Sequence, residues 1–144
     1  MKYDYFVAGR WTNHANIKRV VEAIRQAGKT TYCFIDNEYD GDGVVQTKNP
    51  SKDDLAKNNV AEILDWQTNP TFKKMFQKDI DGLRNSKELV FVFPAGLSTH
   101  MELGAAYGMG KKSYGIGAPE KIETLYLMFD QIFPTVDDFV RQIS

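Results

Sequence analysis

Apolar positions in this chain alternate between short uninterrupted runs and stripes at helical spacing. Residues 3–8 form a run of the first kind and predict a strand, which Gly9 ends where the chain must turn close to a neighbour. Over 16–27, Ile17, Val20, Val21 and Ile24 recur at three- and four-residue intervals, while Lys18, Arg19, Glu22 and Arg25 take the opposite face. That pattern predicts an amphipathic helix closed by Gly28. Residues 31–35 read as a second strand, so the chain opens with a βαβ unit whose crossover should be right-handed.

Periodicity then lapses over 36–51, where turn residues dominate and a long polar loop, a candidate lid, is expected. Ser51 can cap a helix over 53–66, and Pro70 suits the first position of another running to about Asn85. In that helix Phe72, Met75, Phe76, Ile80 and Leu83 make one apolar stripe, with Asp79 beside it. The run 89–93 predicts a strand covered on both faces, stopped by Pro94 and followed by a helix that Ser98 or Thr99 can cap. A fourth strand is expected over 113–116. Over 120–133, Ile122, Leu125, Tyr126 and Phe129 have helical spacing, and Ile132 with Phe133 offers a short edge strand. Thr135 and Asp138 form a capping-box variant for a last helix to Ile143. The sum is α/β: a single domain over 1–144 with five short, mostly parallel strands flanked by helices.

Composition narrows the function classes. A net charge of −1 leaves no excess of positive charge to follow a phosphate backbone, so nucleic acid is not an expected partner. Cys33 is the sole cysteine and lies in an apolar run, which predicts a buried strand thiol, no disulfide within the chain and a reducing, cytoplasmic setting. The N-terminal apolar run is too short for a signal peptide, and no stretch has the length to cross a bilayer, so no membrane association is expected. Asp36, Glu38, Asp40 and Asp42 have a superficial likeness to a calcium loop but lack its closing bidentate Glu, and no metal site is expected.

Chemistry concentrates where the central strand meets its helix, since such a junction gathers free backbone N–H groups at the carboxyl edge of a parallel sheet. Glu102 stands one turn into that helix and has two readings. One is a capping box with Thr99; the other is an ionised carboxylate aimed into the crevice as a nucleophile. Asp79 by itself reads as a solvated helix charge. His100, in the first helical turn, reads as a surface residue.

Four blocks, Tyr5-Phe6-Val7-Ala8-Gly9, Asp36-Asn37-Glu38-Tyr39-Asp40-Gly41, Lys78-Asp79-Ile80-Asp81-Gly82-Leu83 and Met101-Glu102-Leu103-Gly104-Ala105-Ala106, together resemble the nucleoside 2-deoxyribosyltransferase family. The resemblance spans most of the first 117 residues. It implies a flavodoxin-like or Rossmann-like three-layer sandwich. It also implies a Glu102 nucleophile, an Asp79 acid that protonates the departing base directly or through solvent, and a Tyr5 that hydrogen-bonds Glu102. No metal or organic cofactor is implied. Gly96 stands where the transferases usually carry an acidic base-recognition residue. Ser98 and Thr99 are similar to the hydroxylic residues of the related deoxynucleoside 5'-monophosphate N-glycosidases and, with Arg10, suit a phosphate. Gly9, Arg10 and Trp11 after the first strand and Gly96, Ser98 and Thr99 after the central one are thus the candidate substrate contacts for a nucleoside or nucleotide. The resemblance further implies a symmetric homo-oligomer, dimer or higher, for which Tyr126, Phe129, Phe133 and Phe139 offer either an interface or an intramolecular core. A silent nucleotide-binding module is the alternative from another class. A flavin electron carrier is disfavoured, because residues 9–13 lack a hydroxyl-rich phosphate nest.

Overall fold

The computed structural model describes residues 1–37 and 65–144. The expected Ser51 cap, the helix over 53–66 up to residue 64, the candidate lid beyond Asn37, and Glu38, Asp40 and Asp42 lie outside the described residues; 65–66 belong to a turn. Five strands, β1 (Tyr3–Ala8), β2 (Thr31–Cys33), β3 (Ser86–Val92), β4 (Ser113–Ile116) and β5 (Gln131–Phe133), pair in the order β2-β1-β3-β4-β5. Every pairing is parallel. The chain begins inside the sheet, adds β2 on one side and returns across β1 to build the rest on the other. This is a flavodoxin-like α/β order, and its direction reverses between β1 and β3.

Side-chain alternation along the strands feeds two apolar layers. On one face Tyr5, Val7, Cys33, Val90 and Val92 pack with Ile17, Val20, Val21 and Ile24 of α1 (His14–Gln26) and Phe139 of α4 (Val136–Ile143). On the other, Phe6, Ala8, Leu89 and Phe91 meet Leu83 of α2 (Pro70–Arg84) and Leu103 and Ala106 of α3 (Leu97–Gly108). Both faces are covered, which is why β1 and β3 carry apolar residues in succession. Phe133 and Phe139 are buried in the first layer, and Tyr126 and Phe129 pack against the second, so this aromatic tail is intramolecular core.

Helix ends follow local chemistry where a side chain reaches the backbone. Gly28 takes φ +83°, and the bonds from Gly28 N to Arg25 O and Lys29 N to Ile24 O close α1 as a Schellman motif. Pro70 opens α2 and Thr135 accepts from the amide of Asp138 at the start of α4, both as expected, and Asn69 supplies the cap of α2. Other expectations need correction. β2 stops at Cys33 because Phe34–Asp36 form a 3-10 turn, tied to α1 by the 2.7 Å Arg25–Asp36 pair. β3 begins at Ser86, whose buried hydroxyl donates to Gly82 O at 2.7 Å and so makes a polar residue acceptable inside the sheet. Ile122, Leu125 and Leu127 are exposed, and their segment forms only the 3-10 turn Thr124–Met128. In the α2 stripe Phe76 is also exposed.

Two glycines set how closely the layers approach. A Cβ on Gly9 would lie 2.4 Å from Ile17 Cδ1, so any side chain there would require the end of Ile17 to move. A Cβ on Gly82 would lie 2.7 Å from three ring carbons of Tyr32, which stacks on Phe6 at 5.2 Å. Helix propensity alone favours Gly82→Ala by up to about 1 kcal/mol. The collision with a ring held on its other side outweighs this, and a net destabilisation of about 1–3 kcal/mol is expected, read as a lower Tm in thermal unfolding.

Candidate active site

The reversal between β1 and β3 opens a crevice at the carboxyl ends of those strands, flanked by α2 and α3 on one face. Two loops border it. The first, after β1, runs through Gly9 and the exposed Arg10 into the 3-10 turn Trp11–Asn13; the second, from Phe93 to Gly96, leads into α3. They touch: the Asn13 side-chain amide donates to Phe93 O at 3.4 Å, and the open side of Gly96 faces the Arg10 side chain. Trp11 stacks on His14 with centroids 4.5 Å apart and meets Phe34 edge-on.

Glu102 on α3 and Asp79 on α2 are both half-buried. Asp79 sits on the same side of α2 as Thr71, Met75 and Gly82, at intervals of four, four and three residues, so it turns inward. Burial pushes the Asp79 carboxyl up to about 6, against the opposing effects of the Tyr32 hydrogen bond and the Lys78 charge. Glu102 is pushed up to about 8, first by burial and then by the charge of Asp79. The charge of Asp79 thus adds to the effect of burial on Glu102.

The helix entry differs from the expected capping box. Backbone helical geometry begins at Leu97, with Gly96 as N-cap and no side-chain cap bond. Thr99 thus lies inside the first turn, fully buried, and its hydroxyl has no hydrogen-bond partner among the described residues. Glu102 is freed from the capping role, and Ser98 remains exposed at the helix N-terminus.

Tyr5 also needs correction. Its ring lies in the α1–α4 layer, edge-on to Phe139 at 5.4 Å, while α3 packs on the opposite face. Burial raises its hydroxyl to about 12, with Glu88 and Tyr114 as the charged neighbours. Strand parity decides this, because Tyr5 and Phe6 must point to opposite faces. Gly9 serves packing against Ile17, and its backbone still borders the crevice.

Two residues acquire roles that the sequence did not reveal. Tyr32 donates from its hydroxyl to Asp79 Oδ1 at 2.9 Å and accepts from Asn37 Nδ2 at 2.8 Å. Its only signal in the sequence was an aromatic one position out of phase with Cys33, hence on the α2 side of β2. His100 is half-buried rather than on the surface: Nδ1 bonds Gly96 O at 2.6 Å and Nε2 meets the Tyr126 hydroxyl at 2.8 Å. Because a carbonyl only accepts, Nδ1 carries a proton, and the imidazole ties the entry of α3 to the 3-10 turn Thr124–Met128.

Comparison with known proteins rests on structure. The sequence matches no protein-family model and no curated protein sequence. The fold is similar to that of a 2-deoxyribosyltransferase from the psychrotolerant bacterium Bacillus psychrosaccharolyticus, with a TM-score of 0.67 and 15% identity over 95% of this chain and 90% of that one. It is similar as well to a conserved protein from Enterococcus faecalis V583, with a TM-score of 0.66 and 13% identity over 99% and 98% of the two chains. A third likeness is to the CMP N-glycosidase BcmB of Clostridium botulinum, with a TM-score of 0.50 and 13% identity over 97% of each. The five-stranded parallel sheet thus has, at the level of the fold, the architecture of the 2-deoxyribosyltransferase and N-glycosidase structures.

Proposed function

We propose that this chain is an enzyme that cleaves or transfers the N-glycosidic bond of a nucleoside or nucleotide, with Glu102 as nucleophile and Asp79 as general acid. The observation that carries the reading is the pair of half-buried carboxyls on α2 and α3, placed so that the Asp79 charge acts on Glu102. Breaking the C1'–N bond sends its electron pair out with the base and leaves positive charge on the sugar. A carboxylate beneath C1' takes up that charge and forms a glycosyl–enzyme ester, while a carboxylic acid protonates the departing base. Water or a second base then attacks C1', releases Glu102 and returns a proton to Asp79.

Burial raises both carboxyls and the Asp79 charge raises Glu102 further, so each holds its proton more firmly than a free carboxyl does. Positive charge building on the sugar favours the ionised form of Glu102, and the proton then belongs on Asp79. The test is chromatographic product analysis with deoxynucleosides and deoxynucleoside 5'-monophosphates, each with and without an acceptor base. Free base marks a hydrolase and a new nucleoside marks a transferase; no turnover of any substrate would leave a silent binding module as the better account.

Nucleotides are supported by a specific feature. The N-terminus of α3 has no side-chain cap, Ser98 is exposed there, and Arg10 lies against Gly96, an arrangement suited to a 5'-phosphate. Arg10→Ala is expected to raise KM for monophosphates about 10-fold or more and to leave deoxynucleosides little changed, as steady-state kinetics would read.

The proposed assembly is a homo-oligomer through the outer face of α3, where Leu97, Met101 and Tyr107 are exposed. Met101→Glu should then shift the protein to monomer in size-exclusion chromatography with light scattering.

A further inference from the structure

We infer that Tyr32 is a positioning residue for Asp79, holding the carboxyl toward the crevice and setting the pH at which it gives up its proton. The inference rests on reading Asp79 as the acid. Three contacts carry it. The Tyr32 hydroxyl has one hydrogen, and the Asn37 amide, which only donates through Nδ2, occupies an acceptor site on that oxygen at 2.8 Å. The hydroxyl hydrogen is thereby directed to Asp79 Oδ1 at 2.9 Å. The ring is held flat against Phe6 at 5.2 Å and edge-on to Tyr3 at 5.7 Å, so the hydroxyl has little freedom to follow a moving carboxyl.

Gly82 completes the device. It lies three residues after Asp79, one turn along the same face of α2, and the space of its absent side chain is where the Tyr32 ring passes. Any side chain at this position would force apart the edge of α2 and β2 that brings the hydroxyl to the carboxyl. The helix supplies the acid and, one turn later, the gap through which the strand reaches it.

The groups facing Asp79 are the Tyr32 hydroxyl from β2, the Glu102 carboxyl from α3 and the Lys78 ammonium on its own helix. The Tyr32 hydroxyl donates to the carboxyl at 2.9 Å, and this bond favours the ionised form. Removing it should raise the Asp79 midpoint and extend the protonated, acid-competent state to higher pH.

The experiment follows Asp carboxyl carbons by NMR titration of the full chain, with the Asp79 signal assigned by its loss in Asp79→Asn. Tyr32→Phe should move the Asp79 midpoint up by about one unit. Gly82→Ala should move it the same way by displacing the ring, and Tyr3→Phe should leave it in place. The alkaline limb of kcat for base release should shift upward in step in Tyr32→Phe. An unmoved Asp79 midpoint in both Tyr32→Phe and Gly82→Ala overturns the inference. A moved midpoint with an unmoved alkaline limb instead upholds the Tyr32–Asp79 coupling and overturns Asp79 as the acid.

Discussion

Glu102→Gln is expected to lower the rate of base release by at least ~10³-fold while making the protein more stable above pH 8. The amide keeps the shape of the side chain but can neither bond to C1' nor offset the charge that develops there. A loss of that size corresponds to about 4 kcal/mol of transition-state stabilisation. The stability change follows from the raised midpoint. Glu102 is protonated in the folded chain up to about pH 8, whereas in the unfolded chain it ionises near the ordinary value of 4.5. Stability from this group is therefore fully present below about pH 4.5 and declines as pH rises through 8, because the folded state must then bury a charge. Gln carries no such penalty. Thermal unfolding should show wild type and variant alike at pH 4 and the variant higher at pH 8.5. A variant with unchanged turnover would remove Glu102 from the chemistry.

Asp79→Asn is expected to lower base release by ~10²–10⁴-fold, the range for loss of a general acid. The loss should depend on the leaving group. A substrate whose leaving group departs as a stable anion needs no protonation, so its cleavage should be largely preserved. The pH profile should change as well. Asp79 raises Glu102 through its negative charge, so removing that charge lowers the Glu102 midpoint and moves the acidic limb of the profile to lower pH. Because the Asp79 charge acts on Glu102, the wild-type acidic limb reflects both groups, and the single variant separates them. Equal losses for good and poor leaving groups would argue that Asp79 positions substrate instead of donating a proton.

The pairing of these two residues was open to sequence reading only in part. Both were named as candidates, but their spacing of 23 positions carries no geometry. Glu102 fitted a capping box with Thr99 as well as a catalytic role, since the local pattern is shared by both. The choice was made by where α3 starts: at Leu97, which places Thr99 inside the first turn. Asp79 fitted a solvated charge until α2 was docked with its Thr71, Met75, Asp79 and Gly82 side inward. Tyr32 escaped notice and His100 read as a surface residue because their partners, Asp79 and Tyr126, lie 47 and 26 residues away.

By itself the sequence determined the elements and the class. Alternation and helical spacing depend on local periodicity, so α1, the start of α2, the buried central strand and the Thr135 cap could be read directly. Successive apolar residues in β1 and β3 already implied a sheet covered on both faces. Tertiary structure alone decided which face each strand residue takes and what it meets there. Parity requires Tyr5 and Phe6 to diverge, but only the pairing of β1 with β2 and β3 and the docking of the helices send Tyr5 to Phe139 and Phe6 to Tyr32. The same docking buries the carboxyls of α2 and α3 near one another. Their raised proton affinity is a property of that shared low-polarity space, since desolvation and charge coupling depend on distance in the folded chain rather than along it.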